Sequence, residues 1–369
     1  MRRLTVVQLL PSLHSGGVER STLEIAAALV AAGHRSIVIS AGGRLVPALV
    51  QGGSEHLTLS VGRKSLGAFA TMWRLRTLIA GLQPDIVHAR SRLPAWLAWF
   101  ALRGLPAPRP HFVTTVHGMN SPGRYSGVML SGERVVCVSD SVRAYVDRHW
   151  PEANPARRVV IARGVDPAVF VRGFAASAPW RSRFAAELPA LQGGRLLLMP
   201  GRGTRLKGHA QAIELLATLR AGGEDARLWL LGADEPGREA YLVELRALAH
   251  SRGVAAALAI SPPRSDIREA YAASDLVLQL SGKPEAFGRT VVEALAIGRP
   301  VLGWDHGGVG DLLRELYPAG LVPLGDAGAL AAGARRLLSA PAPMPVTIPH
   351  TLAAMQSATL ELYDRLVAD

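Results

Sequence analysis

A chain of 369 residues is long for one domain and comfortable for two, and a hydrophobic fraction of 49% suffices for a packed core in each. No apolar run approaches the ~18 residues that span a bilayer, the longest being Leu93 to Leu102 between Arg92 and Arg103, and the single cysteine, Cys137, rules out a disulfide framework or a cysteine metal site. The net charge of +12 lies wholly in the first half, with 21 Lys+Arg against 9 Asp+Glu through Trp180 and 20 against 20 after it, which implies an anionic partner for that half.

The opening MRRLTVVQLL imitates a signal peptide, but its apolar run is short, no small-residue cleavage site follows, and a glycine turn comes next. Leu4 to Leu10 reads instead as a buried strand. The loop PSLHSGGVER and a helix through Leu23, Ile25, Ala28 and Leu29 then begin a doubly wound sheet, in which ligands bind beyond the carboxyl ends of the strands. Gly16 and Gly17 therefore sit at a ligand edge or form a plain tight turn; SGGVERS lacks G-x-G-x-x-G and is no dinucleotide fingerprint. Between Val61 and Arg109 aromatic and basic residues alternate: Arg63, Lys64, Phe69, Trp73, Arg74 and Arg76, then Arg90, Arg92, Trp96, Trp99, Phe100 and Arg103. Such faces either lie in a membrane interface or form the core side of a helix. Within this region PDIVHARS reads as a strand ending in His88, Ala89 and Arg90. HFVTTVHGMN reads as another, placing His117 and Gly118 where a histidine serves a ligand or a structural hydrogen bond. RVVCVSDSVRAYV supplies a strand and a helix capped by Ser139 or Asp140.

Asp166 to Gln192, with three prolines and mixed polarity, reads as an interdomain connection. RLLLMPGRGTRLKGHAQ follows as a strand, a loop carrying Gly201, Arg202, Lys207 and Gly208, and a helix. Two cations five residues apart across a glycine-rich turn converge on one diphosphate, with amide donors from the helix start, or else form a solvated basic loop; G-x-x-x-x-G-K is absent. ARLWLLGAD, ALAISPPRSDI and REAYAASDLVLQLSG continue the alternation, Asp305 to Asp311 reads as a polar glycine turn, and Thr351 to Val367 as a terminal helix. The stretch PEAFGRTVVEALAIGRPVLGW organises this half: Thr290 as cap, Val291, Val292 and Leu295 at helical spacing, Gly298 and Pro300 as stop, then a buried strand. Glu285 and Glu293 frame it, with Phe287 and Gly288 between them where free N–H groups attract phosphate. Carboxylates accept from sugar hydroxyls while amides take negative charge, which describes a nucleotide sugar; the alternative is two surface glutamates.

The E-x7-E spacing inside PEAFGRTVVEALAIGRPV resembles the signature of the group 1 glycosyltransferases, family 4, retaining enzymes of the GT-B fold. The resemblance implies that Glu285 contacts the transferred sugar and Glu293 the nucleotide ribose. It implies likewise that the Gly16–Gly17 loop approaches the donor phosphate or the acceptor, and that Gly201, Arg202 and Lys207 form the diphosphate site. TVHG is similar to the family's Thr-x-His strand end, which assigns His117 to the donor-sugar pocket. The loop after ALAIS would pack Pro263 and Arg264 near the nucleobase, and His88 and Arg90 would face the acceptor. IARGVDP resembles the family's Asn-Gly-Val-Asp segment with Arg163 in place of asparagine, and Asp311 stands where the family more often has glutamate.

The expected fold is α/β, two Rossmann-like doubly wound domains facing a cleft: residues 1–166 binding the acceptor, a linker 167–192, residues 193–350 binding the nucleotide sugar, and a helix 351–369 returning to the first domain. The expected activity moves a sugar, from a UDP-sugar first, to an anionic glycan or lipid-linked acceptor in lipopolysaccharide or other cell-envelope polysaccharide synthesis, with retention. The sequence holds no Asp-x-Asp motif, so neither metal nor cofactor is expected beyond the nucleotide-sugar co-substrate. The expected location is cytoplasmic, with an anionic inner-membrane surface as a further candidate partner. A sugar epimerase or phosphorylase of the same fold is the alternative enzyme. A nucleic-acid-binding protein is the alternative outside enzymes, disfavoured by only 5% aromatic residues.

Overall fold

The computed structural model describes residues 2–14, 16–63 and 67–368, so Lys64 of the aromatic and basic alternation lies outside the described residues. The chain forms two units, Met1–Arg163 with Leu352–Asp369, and Gly164–Thr351. In the first, β1 (Thr5–Leu9), β2 (Arg35–Ser40), β3 (Glu55–Thr58), β4 (Ile86–Ala89), β5 (His111–Val116), β6 (Arg134–Cys137) and β7 (Arg158–Val160) form one sheet in the order β3-β2-β1-β4-β5-β6-β7. In the second, β8 (Arg195–Pro200), β9 (Ala226–Leu231), β10 (Leu258–Ser261), β11 (Leu276–Gln279), β12 (Val301–Trp304) and β13 (Leu321–Val322) take the order β10-β9-β8-β11-β12-β13. Neighbouring strands pair in parallel throughout. Helices cover both faces of such sheets, which is why the inner strands are unbroken apolar runs instead of alternating ones.

Two elements escape the sequence pattern for a physical reason. β3 and β13 are edge strands of four and two residues, too short and too polar or too exposed to show a period. Asp305 to Asp311 is not a turn: a helix runs Gly307–Leu316 from His306. Its glycines are there for close packing, since a Cβ on Gly308 would stand 2.6 Å from the Phe287 backbone.

The segment 167–192 is not a linker. It contains a helix, Ala178–Glu187, capped by Ser177, and belongs to the second unit. Trp180 stacks on Phe184 at 4.9 Å, Phe184 lies 5.1 Å from Trp229 of β9, and the Trp180 indole donates to Asp266 at 2.6 Å. The first unit ends at Arg163 and is completed by the helix Leu352–Ala368, whose Met355, Leu362, Tyr363 and Leu366 share a core with Leu4, Val6, Ile25 and Ile86. No helix among the described residues is long and apolar enough to cross a membrane.

Candidate active site

In a doubly wound sheet the ligand crevice opens where successive strands depart in opposite directions, outside their carboxyl ends. In the second unit that point lies between β8 and β11. The loop after β8 carries Gly201 and Arg202 and ends in a short turn, Arg205–Lys207; the loop after β11 carries Ser281 and Glu285. Topology thus joins residues 78 apart in the chain: Lys207 Nζ lies 2.5 Å from Glu285 Oε1, with side-chain exposures of 32% and 21%. The Ser281 hydroxyl donates to the same carboxylate oxygen, and the Gly282 N–H donates to the Leu206 carbonyl at 2.8 Å, so backbone ties the loops as well. Gly208 makes the approach possible, because its φ is 86° and a Cβ would stand 2.0 Å from the Leu280 carbonyl oxygen.

Each loop feeds a helix whose first N–H groups have no intrahelical acceptor, His209–Ala221 after Gly208 and Arg289–Ile297 after Gly288. Thr290 is not the cap; Gly288 takes that place in a left-handed conformation, φ 100°. Phe287 is buried, edge-on to the His350 ring at 5.6 Å. Glu293 lies one turn into its helix at 5% exposure and accepts from the Tyr271 hydroxyl at 3.0 Å, so of the two acids Glu285 is the accessible one. Arg202 is exposed, between Gly201 and Gly203. Arg264, expected beside a nucleobase, bridges Asp266 and Glu187 at 2.8 Å each, and its guanidinium holds the Asp266 carboxyl down to about 2. Asp266 is two residues from Arg264, whereas Glu187 is 77 residues away and was invisible in sequence. Ser281 and His306, whose Nε2 lies 2.7 Å from the Ser281 carbonyl, were missed for the same reason: neither carries a local signal.

In the first unit His117 follows β5 directly, and Arg163 lays its guanidinium against His117 Nδ1 while donating to the Ser21 hydroxyl. A guanidinium has donors only, so Nδ1 must accept and the ring proton sits on Nε2. That Nε2 is buried with no hydrogen-bond partner among the described residues. Burial, then the charges of Arg163 and Arg90, hold His117 well below the usual histidine range, and the ring stays neutral. His88 and Arg90 do not present themselves to an open edge. His88 is 1% exposed, with Nδ1 2.6 Å from the Tyr363 hydroxyl and Nε2 2.6 Å from Thr115 Oγ1; Arg90 is 3% exposed and donates from Nε to Gln8 Oε1 at 2.7 Å. The C-terminal helix covers them, which sequence spacing could not show. Gly16 (φ 136°) precedes the helix Gly17–Ala31, and open space surrounds the position of a Cβ on Gly17.

Residues 15–169 match the family described as Glycosyltransferase Family 4, and residues 181–348 match Glycosyl transferases group 1. The chain is 30% identical over 257 residues to the D-inositol 3-phosphate glycosyltransferase of Jonesia denitrificans, a match covering 65% of this chain and 60% of that relative. A glycosyltransferase from Rickettsia africae superposes with a TM-score of 0.84 at 27% identity, covering 100% of this chain and 99% of that one. Anabaena Alr3699/HepE, solved with UDP and glucose, gives 0.78 at 19% identity over 98% and 100% of the two chains, a likeness of fold. The chain belongs to the group 1, family 4 glycosyltransferases, and its two parallel-sheet domains are the Rossmann-like domains of the GT-B fold. Matched stretches span 60% or less of the length of the first curated relatives.

Proposed function

We propose that the chain transfers a hexose or similar sugar from a nucleotide diphosphate sugar, a UDP-sugar first, to a hydroxyl of an anionic glycan or lipid-linked acceptor in lipopolysaccharide or other cell-envelope polysaccharide synthesis. The observation that carries this reading is the Lys207–Glu285 pair, an ammonium suited to phosphate beside a carboxylate suited to sugar hydroxyls, at the switch point of the second sheet. Donor entry parts the pair: Lys207 turns to the diphosphate and Glu285 to the sugar. Departure of the nucleoside diphosphate concentrates charge on its β-phosphate, and Lys207, Arg202 and the amides after Gly288 stabilise that charge. The anomeric bond to the β-phosphate breaks, the acceptor oxygen bonds on the same face, and the acceptor proton passes to the leaving phosphate. Configuration is retained, and neither a metal nor a protein base takes part. A neutral His117 offers its Nε2–H to a ligand hydroxyl.

The name of the Jonesia relative supports a phosphorylated acceptor, and the basic first half supports an anionic one at the inner face of an anionic membrane. Thermal shifts against UDP-, GDP-, ADP- and dTDP-sugars test the donor, since a ligand held only by the native state raises the melting point. The double variant R202A/K207A should lose about 100- to 1,000-fold in donor turnover. Unchanged turnover overturns the assignment, and an epimerised free sugar in place of an acceptor-linked one points to the epimerase alternative.

A further inference from the structure

Residues 56 to 132 contain nine Lys and Arg and a single acid, Asp85. That acid is occupied, accepting from Arg2 at 2.6 Å and from the Thr5 N–H at 2.7 Å. Within this basic stretch the helix Arg92–Arg103 has two stripes. Pro94, Ala95, Leu97, Ala98, Ala101 and Leu102 are buried against the unit, so the core is lined by small and aliphatic residues. Trp96, Trp99, Phe100 and Arg103, at i, i+3, i+4 and i+7, form the opposite stripe. Their rings pack on one another, Trp96 stacked on Phe100 at 5.6 Å and Trp99 edge-on to Phe100 at 4.8 Å, and the Arg103 guanidinium lies 3.9 Å from the Trp99 ring centroid.

The stripe continues at both ends. The Trp96 indole donates to the Tyr125 carbonyl at 3.0 Å, and Arg92 lies over the Tyr125 ring at 5.4 Å. At the other end Arg76 of the helix Ala68–Leu82 occupies the space above Gly104, where a Cβ would meet its guanidinium, and covers the Trp73 ring at 4.3 Å. Trp73 and Phe69, one turn apart, are 56% and 76% exposed, and Phe100 is 49% exposed. The result is one continuous band of rings and guanidiniums without a carboxylate among its described residues.

We propose that this band docks on an anionic lipid bilayer, the rings at headgroup level and the arginines on lipid phosphates. A purely apolar patch would suit a protein, and a purely basic one any polyanion; rings and cations interleaved along one band suit a surface that is apolar and anionic at once. A second copy of the chain would oppose arginines with arginines. Single-stranded nucleic acid needs free ring faces for base stacking, and here a neighbouring ring lies on Phe100 and a guanidinium on each of Trp73 and Trp99. The Arg92–Tyr125 end lies just beyond the carboxyl ends of β4 and β5, a few residues after Arg90 and His117. A lipid-linked acceptor in that bilayer would therefore reach the ligand edge of the first sheet without leaving the membrane. The inference rests on the membrane partner of the proposed function and names its face.

The test is co-sedimentation of the full chain with phosphatidylcholine vesicles with and without phosphatidylglycerol, beside the variants W73S/F100S and R92E/R103E, all positions of the band, with melting points to check the fold. Wild-type binding should need phosphatidylglycerol and weaken with salt, and each double variant should lower the partition coefficient at least about tenfold. Equal binding to phosphatidylcholine overturns the charge argument. Binding retained by both variants overturns this face while the membrane partner stands, and no wild-type binding removes both. Oligouridylate that binds and displaces vesicles would reassign the band to nucleic acid. Sugar transfer to a water-soluble acceptor, measured on the same preparations, keeps the catalytic reading separately decidable.

Discussion

Arg163 shows how one side chain sets the chemistry of another. By donating to His117 Nδ1 it leaves the proton on Nε2, and by adding charge to a buried ring it helps keep that ring neutral. The family resemblance places asparagine here, so Arg163→Asn is the informative variant. Without the guanidinium the His117 pKa should rise toward the ordinary 6.5, and the acid limb of kcat/KM should move to higher pH. Nitrogen chemical shifts of the ring should report a mixture of tautomers. A merely structural arginine would change the melting point and leave both readouts in place. Spacing exposed His117 and Lys207 as candidates, because each stands beside a glycine in the loop that follows an apolar strand, a local signal. It said nothing of what Arg264 or His88 touch beyond the neighbouring Asp266, because Glu187, the Thr115 hydroxyl and the C-terminal helix that carries Tyr363 come from remote parts of the chain.

Among the elements, the two loops at the second switch point carry the argument. Their contact depends on Gly208, held at φ 86° with the Leu280 carbonyl where a Cβ would be. Gly208→Ala should therefore cost about 2 kcal/mol or more, read as a lowered melting point, and should weaken the thermal shift given by the preferred nucleotide sugar. Gly81→Ala is the control. It lies inside the helix Ala68–Leu82 with nothing within 4 Å of the added Cβ, so it should stabilise by about 0.5–1 kcal/mol. If both glycines tolerate alanine equally, the loop contact is not what fixes the site. At this scale strands of four or more apolar residues were readable because burial on both faces leaves an unbroken apolar run. The segment 167–192 reads as a connection in sequence because prolines and mixed polarity mark turns. What they do not show is that Trp180 and Phe184 have a partner in Trp229, and that contact makes the segment part of a domain.

For the whole molecule, the buried histidines set a pH dependence. His88 and His117 lie well below 6.5, chiefly through burial, and His209 is pushed down to about 4 by burial, against which the carbonyls of Thr204 and Gly201 work only in part. The unfolded chain binds these protons near pH 6.5, whereas the native state resists them. Stability is thus fully present above about pH 7 and falls as pH drops toward 4, with about 3 kcal/mol from His209 alone by the end of that range. Thermal midpoints at pH 8, 6 and 5 should descend in that order, and a flat profile would show that the rings take up protons without unfolding.

The sequence by itself determined the two doubly wound domains, the family, and the glycine-rich turns that could meet phosphate, because hydrophobic period and turn chemistry act over a few neighbouring residues. Only the tertiary structure decided which candidates meet. Lys207 and Glu285 are brought together because their loops leave adjacent parallel strands at a switch point, and His88 is sealed because Tyr363, 275 residues later, returns to it. Crossover geometry sets such distances, and no local spacing encodes them.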